Sequence, residues 1–230
     1  MLIAHLGDKI HHPENTLAAF EAAHGLGACA IATEVQFSKD QTPWCCAGDG
    51  LEIPQAAISA PLRRLKDKDL RTLPLSNFQQ LVDWAGRHRH LEWFVELSPE
   101  TLALTPAEVA IQRLLEEIPG STDNFVLLTS DLRSLRLARN MGFDLVALRV
   151  PNVARCLSAD VVTLAPDYLL IDQATVDCQE LPPGPWQWVV HEINTTQGAV
   201  HWRHRGAHHI LTGNLPLLMR SREASNVYGI

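Results

Sequence analysis

The chain has 230 residues, with 19 lysine and arginine against 26 aspartate and glutamate, for a formal net charge of −7. With 46% hydrophobic and 20% charged residues it is ordinary globular material, which excludes a disordered chain. The acidic balance argues against general nucleic-acid binding but leaves room for a local phosphate pocket. No apolar run approaches the roughly 18 residues of a membrane span. The opening MLIAHLGDKIHH has neither a basic region nor a long apolar stretch, so no signal peptide is expected. Five cysteines, two of them adjacent at Cys45 and Cys46 and none in a CxxC pair, point to a reducing cytoplasm rather than a disulfide framework.

Taken in chain order, Leu2–Ala4 reads as a short strand. Asn15 and Thr16 then cap an apolar helix, LAAFEAAHGLG, that stops at Gly25 and Gly27. Ala30–Phe37 is a second strand, extended as a hairpin by Pro43–Ala47 after the turn at Lys39–Thr42. The stretch from Gly48 to Thr72 has no clean period and reads as an irregular excursion. A helix opening at Ser76 leads to strand Trp93–Leu97, helix Pro106–Glu117 to strand Phe125–Thr129, and helix Asp131–Met141 to strand Asp144–Val150. After a poorly defined segment come Tyr168–Asp172, a short helix, strand Trp186–Ile193, helix Gln197–Arg205, the run His209–Leu211 and a last short helix after Pro216.

Eight strands separated mostly by helices, several apolar throughout, suit a parallel sheet covered on both faces. The predicted fold is therefore α/β, a compact (β/α)8 TIM barrel forming one domain over 1–230, a little shorter than the typical size of about 250 residues. A doubly wound open sheet is the alternative, but no glycine-rich phosphate loop follows any strand.

In such a barrel the functional side chains gather at the C-terminal ends of the strands. Those ends carry His5, Glu34, Glu96, Thr129, Arg149, Asp172, and Glu192 with Asn194. Glu34 and Glu96 can offer oxygens to a hard cation such as Mg²⁺ or Ca²⁺, and His5 can act as a general acid or base. The plainer alternative pairs each glutamate with a nearby cation and leaves His5 as a satisfied barrel-mouth residue.

The stretch from Ile3 to Gly50, with PENTLAAFEAA at 13–23 and VQFSKDQTP at 35–43, resembles the glycerophosphodiester phosphodiesterases. WFVEL, LLTSDLRSL and HEIN…GAHHILTGNLPLLM extend the resemblance over nearly the whole chain and support the barrel independently. It implies metal-dependent hydrolysis of glycerophosphodiesters to glycerol 3-phosphate and an alcohol. Two histidines serve as acid and base, three carboxylates hold the cation, and an Arg and a Lys neutralise the phosphate, which suits a transition state that spreads charge over phosphate oxygens.

Carried over position by position, that resemblance keeps His5 as the first histidine, Glu34 and Glu96 as metal carboxylates, and Asn194 near the end. Glu14, Asn15 and Asn194 fall at substrate-binding or supporting positions. The expected arginine is Leu6, the first metal carboxylate is Ala32, the second histidine is Ala47, the aspartate after it is Gly48 with Asp49 one place on, the lysine is Ser98, and the late aspartate is Gly213. Losing one positioned acid or base costs about 10²–10⁴-fold in rate, and these losses fall together on one chemistry while the scaffold signature is kept. The expectation is a phosphodiesterase-like barrel with impaired or lost standard catalysis and residual binding of a small-molecule phosphodiester or glycerol phosphate. One alternative is an active enzyme with a site rebuilt from Glu34, Asp49 and Glu96 around Mg²⁺ or Ca²⁺. The other is a non-catalytic, partner-binding barrel.

The remaining features read plainly. His11 and His12 lie in the first βα loop, at the catalytic face, as solvated residues. His201, His204, His208 and His209 include pairs at metal-sharing spacing, but no acid or cysteine stands close to complete a set, so they read as surface histidines. One of Cys45 and Cys46 is expected in the core, and the six tryptophans in packing.

Overall fold

Short runs of aliphatic and β-branched residues, separated mostly by helices, dictate the architecture. In the computed structural model, which describes residues 1–48, 51–53, 58–178 and 180–228, eight of these runs are parallel strands: β1 (Leu2–His5), β2 (Ala30–Phe37), β3 (Glu92–Glu96), β4 (Phe125–Thr129), β5 (Leu145–Val150), β6 (Tyr168–Asp172), β7 (Gln187–His191) and β8 (His209–Thr212). Each pairs with the next, and β1 pairs with both β2 and β8, so the ring closes as a (β/α)8 barrel. Closure leaves no sheet edge among the eight strands. In register, Glu34 of β2 stands opposite Glu96 of β3, and Asp172 of β6 opposite His191 of β7.

Alternate strand residues face opposite sides, and the two faces form separate cores. Ile3, Ala30, Phe94, Val126, Leu170 and Leu211 are among those that fill the barrel. The outward residues pack under the helices, where Trp93 takes the edges of Phe20 and Trp84 at 5.2 and 5.8 Å between ring centroids. Thr16 caps helix Leu17–Gly25, accepting from Ala19 N, and Gly27 closes it at φ +89°. Asn77 and Gln80 form a reciprocal capping box on helix Phe78–Ala85.

The stretch after residue 48 is more ordered than its sequence suggests. It carries an antiparallel pair (Leu51–Ile53 with Ile58–Ala60), a 3₁₀ turn at Leu62–Arg64 and a helical turn at Asp67–Leu70. Pro43–Cys45 pairs antiparallel with the end of β2 as the hairpin reading requires, and Ser76–Asn77 extends the ribbon. Trp44, Cys46, Leu62 and Leu70 make a small core beneath it, which explains how short segments without period hold shape. Further elements differ from expectation. The segment after β5, expected to be poorly defined, carries helix Ala159–Leu164, and the short helix expected after β6 is a 3₁₀ turn, Gln173–Thr175. Ser98 and Pro99 start an extra helix, Pro99–Leu104, and the last helix runs the full length of Leu215–Tyr228. Among the described residues no helix is long and apolar enough to cross a membrane.

Candidate active site

The interior alternation runs on to the C-terminal rim of the barrel. Two residues beyond Ile3, Ala32, Phe94, Ala147, Leu170 and Val189, all interior, come His5, Glu34, Glu96, Arg149, Asp172 and His191. These side chains define the mouth. Thr129 belongs to the opposite parity. It is fully buried and its hydroxyl accepts from Asp131 N at 3.3 Å, so it is not a mouth residue.

Arg149 dominates one side. Its Nε and Nη2 both donate to Glu96 Oε1, at 2.9 and 2.7 Å, and Nη2 also donates to Oε2 at 2.7 Å. Glu34 lies next to this pair and accepts from Gly48 N at 3.2 Å. Burial, with Glu96 adjacent, pushes the Glu34 carboxyl up to about 7, against the pull of the Gly48 N–H and Arg149. Near neutrality Glu34 thus holds a proton for much of the time, while Glu96 is engaged by a guanidinium.

His5 and His191 meet on the other side, edge to face, with centroids 4.8 Å apart. Burial, helped by His191, Lys9 and Arg149, holds His5 down at about 3. Burial and then Arg149 lower His191, against Glu192 and Asp172. Burial therefore disfavours the charged form of both imidazoles. Glu192 Oε1 lies 3.0 Å from His191 Nε2 and 3.8 Å from His5 Nδ1. Lys9, from the first βα loop, brings its ammonium within 3.4 Å of His5 Nδ1. The stem of Lys9 crosses Gly213 so closely that a Cβ there would stand 2.7 Å from Lys9 Cε. At Gly213, where the resemblance expects an aspartate, the absence of a side chain leaves room for the end of this lysine. A cavity of about 480 Å³ opens beside Arg149, with Ser130, Arg155, Asp172 and Thr175 in its wall, within the size range of small-molecule sites.

The other expected residues divide. Asn15, buried and at φ +57°, accepts from the Thr33 hydroxyl at 2.8 Å and donates its backbone N–H to Leu6 O. It therefore ties the first loop to β2. Asn194 accepts from Gly213 N (2.8 Å) and the Thr212 hydroxyl (3.1 Å) and reaches Glu192 Oε2 at 3.4 Å, so it supports the rim. Glu14 is exposed, though close enough to add to the upward push on Glu34. Asp49 lies outside the described residues. Leu6 is buried at φ +62° and Ser98 caps the extra helix, so both positions where the resemblance expects a cation have a structural role. His11 is half-exposed and bound to Asp8 at 2.8 Å. The four late histidines do not converge. His208 accepts from Trp188 N, while His209 is buried against Tyr168. Cys45 and Cys46 are both buried, and burial pushes each thiol up to about 12, which leaves them unreactive.

Two mouth residues escape a reading of strand ends. Extending the alternation from Val189 leads to His191, whereas a reading by residue type stops at Glu192. Lys9 has no local signal, because it lies in the first loop and its end meets His5 and Gly213 only when the barrel closes.

A parallel barrel with ionisable side chains converging at the C-terminal strand ends is the architecture of barrel enzymes. Residues 5–141 match the glycerophosphoryl diester phosphodiesterase family, and the chain belongs to it. A forty-residue stretch is 52% identical to a glycerophosphodiester phosphodiesterase of Caldanaerobacter subterraneus subsp. tengcongensis, covering 17% of this chain and only 16% of that protein (40 residues aligned). Among solved structures, a phosphodiesterase of Oleispira antarctica in complex with the product sn-glycerol-3-phosphate superposes with a TM-score of 0.82 at 18% identity, over 98% of this chain and 97% of that one. The glycerophosphodiester phosphodiesterase of Thermotoga maritima superposes with a TM-score of 0.76 at 17% identity, over 96% and 97%. At such identities these likenesses bear on the fold.

The family uses a divalent metal, and the described carboxylates do not fit one as they stand. Ala32 offers no ligand, both oxygens of Glu96 are taken by Arg149, and Glu34, raised to about 7, still shares its oxygens with a proton near neutrality. A cation there would have to displace a guanidinium and a proton before gaining two oxygens.

Proposed function

We propose that this barrel binds the glycerol phosphate portion of a phosphodiester and hydrolyses it poorly by the metal-assisted route. The observation that carries this reading is the forked ion pair between Arg149 and Glu96, which engages both oxygens of a carboxylate that the resemblance assigns to the metal. Ala47, where the resemblance expects the second histidine, removes a proton-transfer group from the same side of the mouth. Binding is supported by two cations, Lys9 and Arg149, at the opening. A lysine ammonium has three N–H donors, and Lys9 directs one contact at His5, so others remain for a phosphate oxygen. A reducing, cytoplasmic setting belongs to the same proposal and is supported by the five free thiols.

The test combines turnover and binding. Glycerophosphocholine and glycerophosphoethanolamine are supplied with Mg²⁺ or Ca²⁺, and glycerol 3-phosphate binding is measured by calorimetry. Turnover near background is expected, together with glycerol 3-phosphate binding that Lys9→Ala weakens about tenfold, the effect of losing one charge-assisted contact. Robust metal-dependent turnover that vanishes in Glu96→Ala would overturn the reading. It would favour the second reading, an active phosphodiesterase with a rebuilt site, for which the contact between His5 and His191 speaks, since it places two imidazoles side by side.

A further inference from the structure

We propose that His5, His191 and Glu192 form a site for a zinc-type divalent metal, set across the mouth from the carboxylates of β2 and β3. The proposal stands apart from phosphate binding, because it concerns a different donor set and is read with no phosphate present.

The geometry is already close to a ligand set. One donor atom from each residue lies within 4.8 Å of the others. Around a tetrahedral zinc with bonds of about 2.0–2.1 Å, ligand atoms sit roughly 3.3 Å apart. The 3.0 Å contact of His191 with Glu192 and the 3.8 Å contact of His5 with the same oxygen bracket that figure. Only the two imidazoles must close on each other.

A second observation points to a ligand. Both ring nitrogens of His191 are buried and make no hydrogen bond, the contact of Nε2 with Glu192 being close but off the direction a hydrogen bond needs. Buried polar atoms are nearly always partnered, and a histidine with neither nitrogen satisfied calls for an explanation. A metal on one nitrogen supplies it.

Glu192 adds a third. It sits at φ +67°, a left-handed backbone that is costly for a residue other than glycine and that persists where surrounding contacts enforce it. Gln173 Nε2 donates to its carbonyl at 2.8 Å, and Asn194 lies 3.4 Å from its Oε2. Together they hold Oε1 towards the two imidazoles.

The donor chemistry selects the ion. Two imidazoles and one carboxylate suit zinc and its first-row neighbours, whereas Mg²⁺ and Ca²⁺ prefer oxygens alone. Three protein ligands also leave a coordination position open for water or a phosphate oxygen. The opposing charges are Lys9, against His5 Nδ1, and Arg149, while Asp172, opposite His191 in register, favours a cation. Metal entry therefore requires the Lys9 ammonium to swing off His5 on its flexible stem.

The experiment uses the full chain, stripped with chelator and titrated with Zn²⁺ by calorimetry and with Co²⁺ by visible absorption. The expected result is one equivalent of metal with a cobalt ligand-field spectrum of nitrogen and oxygen ligation. His191→Ala and Glu192→Gln should each lower affinity at least about tenfold, while His201→Ala with His204→Ala leaves it unchanged. Glu192 is half-exposed, so Glu192→Gln reads the site even if His191→Ala fails to fold. Lys9→Met should bind several-fold more tightly, because a competing charge is gone. The proposal is overturned if the wild type takes up no stoichiometric metal, if Glu192→Gln binds as the wild type does, if Mg²⁺ competes at equal affinity, or if Lys9→Met binds more weakly.

Discussion

Gly7 follows two rim residues, His5 and Leu6, and turns the chain from β1 into the first loop at φ +83°. A Cβ at this position would stand 2.7 Å from the backbone and Cβ of Ala19 in the first helix, which cannot move without shifting that helix. Gly7→Ala should therefore cost about 3 kcal/mol or more, combining left-handed strain with a backbone clash, read as a lowered urea midpoint. Glu34 makes a prediction of the opposite kind. Its carboxyl is raised to about 7 in the fold, above the ordinary value in the unfolded chain. The folded protein therefore holds a proton that the unfolded chain has released, and the stability from this group is present at low pH and lost as pH rises through about 7. Glu34→Gln keeps an acceptor for Gly48 N without the buried charge. It should match the wild type near pH 4 and exceed it by about 1–2 kcal/mol at pH 8, as denaturation curves at the two pH values would show.

At the scale of elements, caps and alternation do most of the specifying. Asn77 and Gln80 satisfy each other's orphan backbone donors at the start of helix Phe78–Ala85, so Asn77→Ala should cost about 1 kcal/mol, measurable as a fall in the denaturation midpoint. These signals are local, which is why all eight barrel strands and the helices beginning near Thr16, Asn77 and Asp131 are legible in the sequence. Helix Pro99–Leu104 was also written there, as Ser98 followed by Pro99, but Ser98 reads first as a missing lysine. The stretch 58–72 carries no period to read, because its short elements are held by Trp44 and its neighbours rather than by an amphipathic face of their own. Alternation applied strictly also separates Thr129, which faces the helices, from His191, which faces the mouth. A list of polar strand ends confuses the two.

Across the whole molecule, the pair formed by Arg149 and Glu96 links β5 to β3 over the end of β4. Glu96 is 9% exposed at its side chain and Arg149 27%, so removing the guanidinium strands a carboxylate next to Glu34. Arg149→Leu should cost about 3 kcal/mol. The double variant with Glu96→Leu should cost less than the sum of the singles, with a coupling of about 1–3 kcal/mol in a double-mutant cycle. A coupling near zero would show that the fork contributes little to holding the mouth.

The sequence by itself determined the barrel, the order of its strands and the family, because periodicity, caps and short motifs are properties of neighbouring residues. Only the tertiary structure decided what occupies the mouth. Arg149 finding Glu96, His191 meeting His5, and Lys9 lying over Gly213 join residues from distant parts of the chain, brought together when the strands close into a ring. The partners of a charge at the rim follow from that closure and from the direction each strand presents its side chains, which no window of adjacent residues contains.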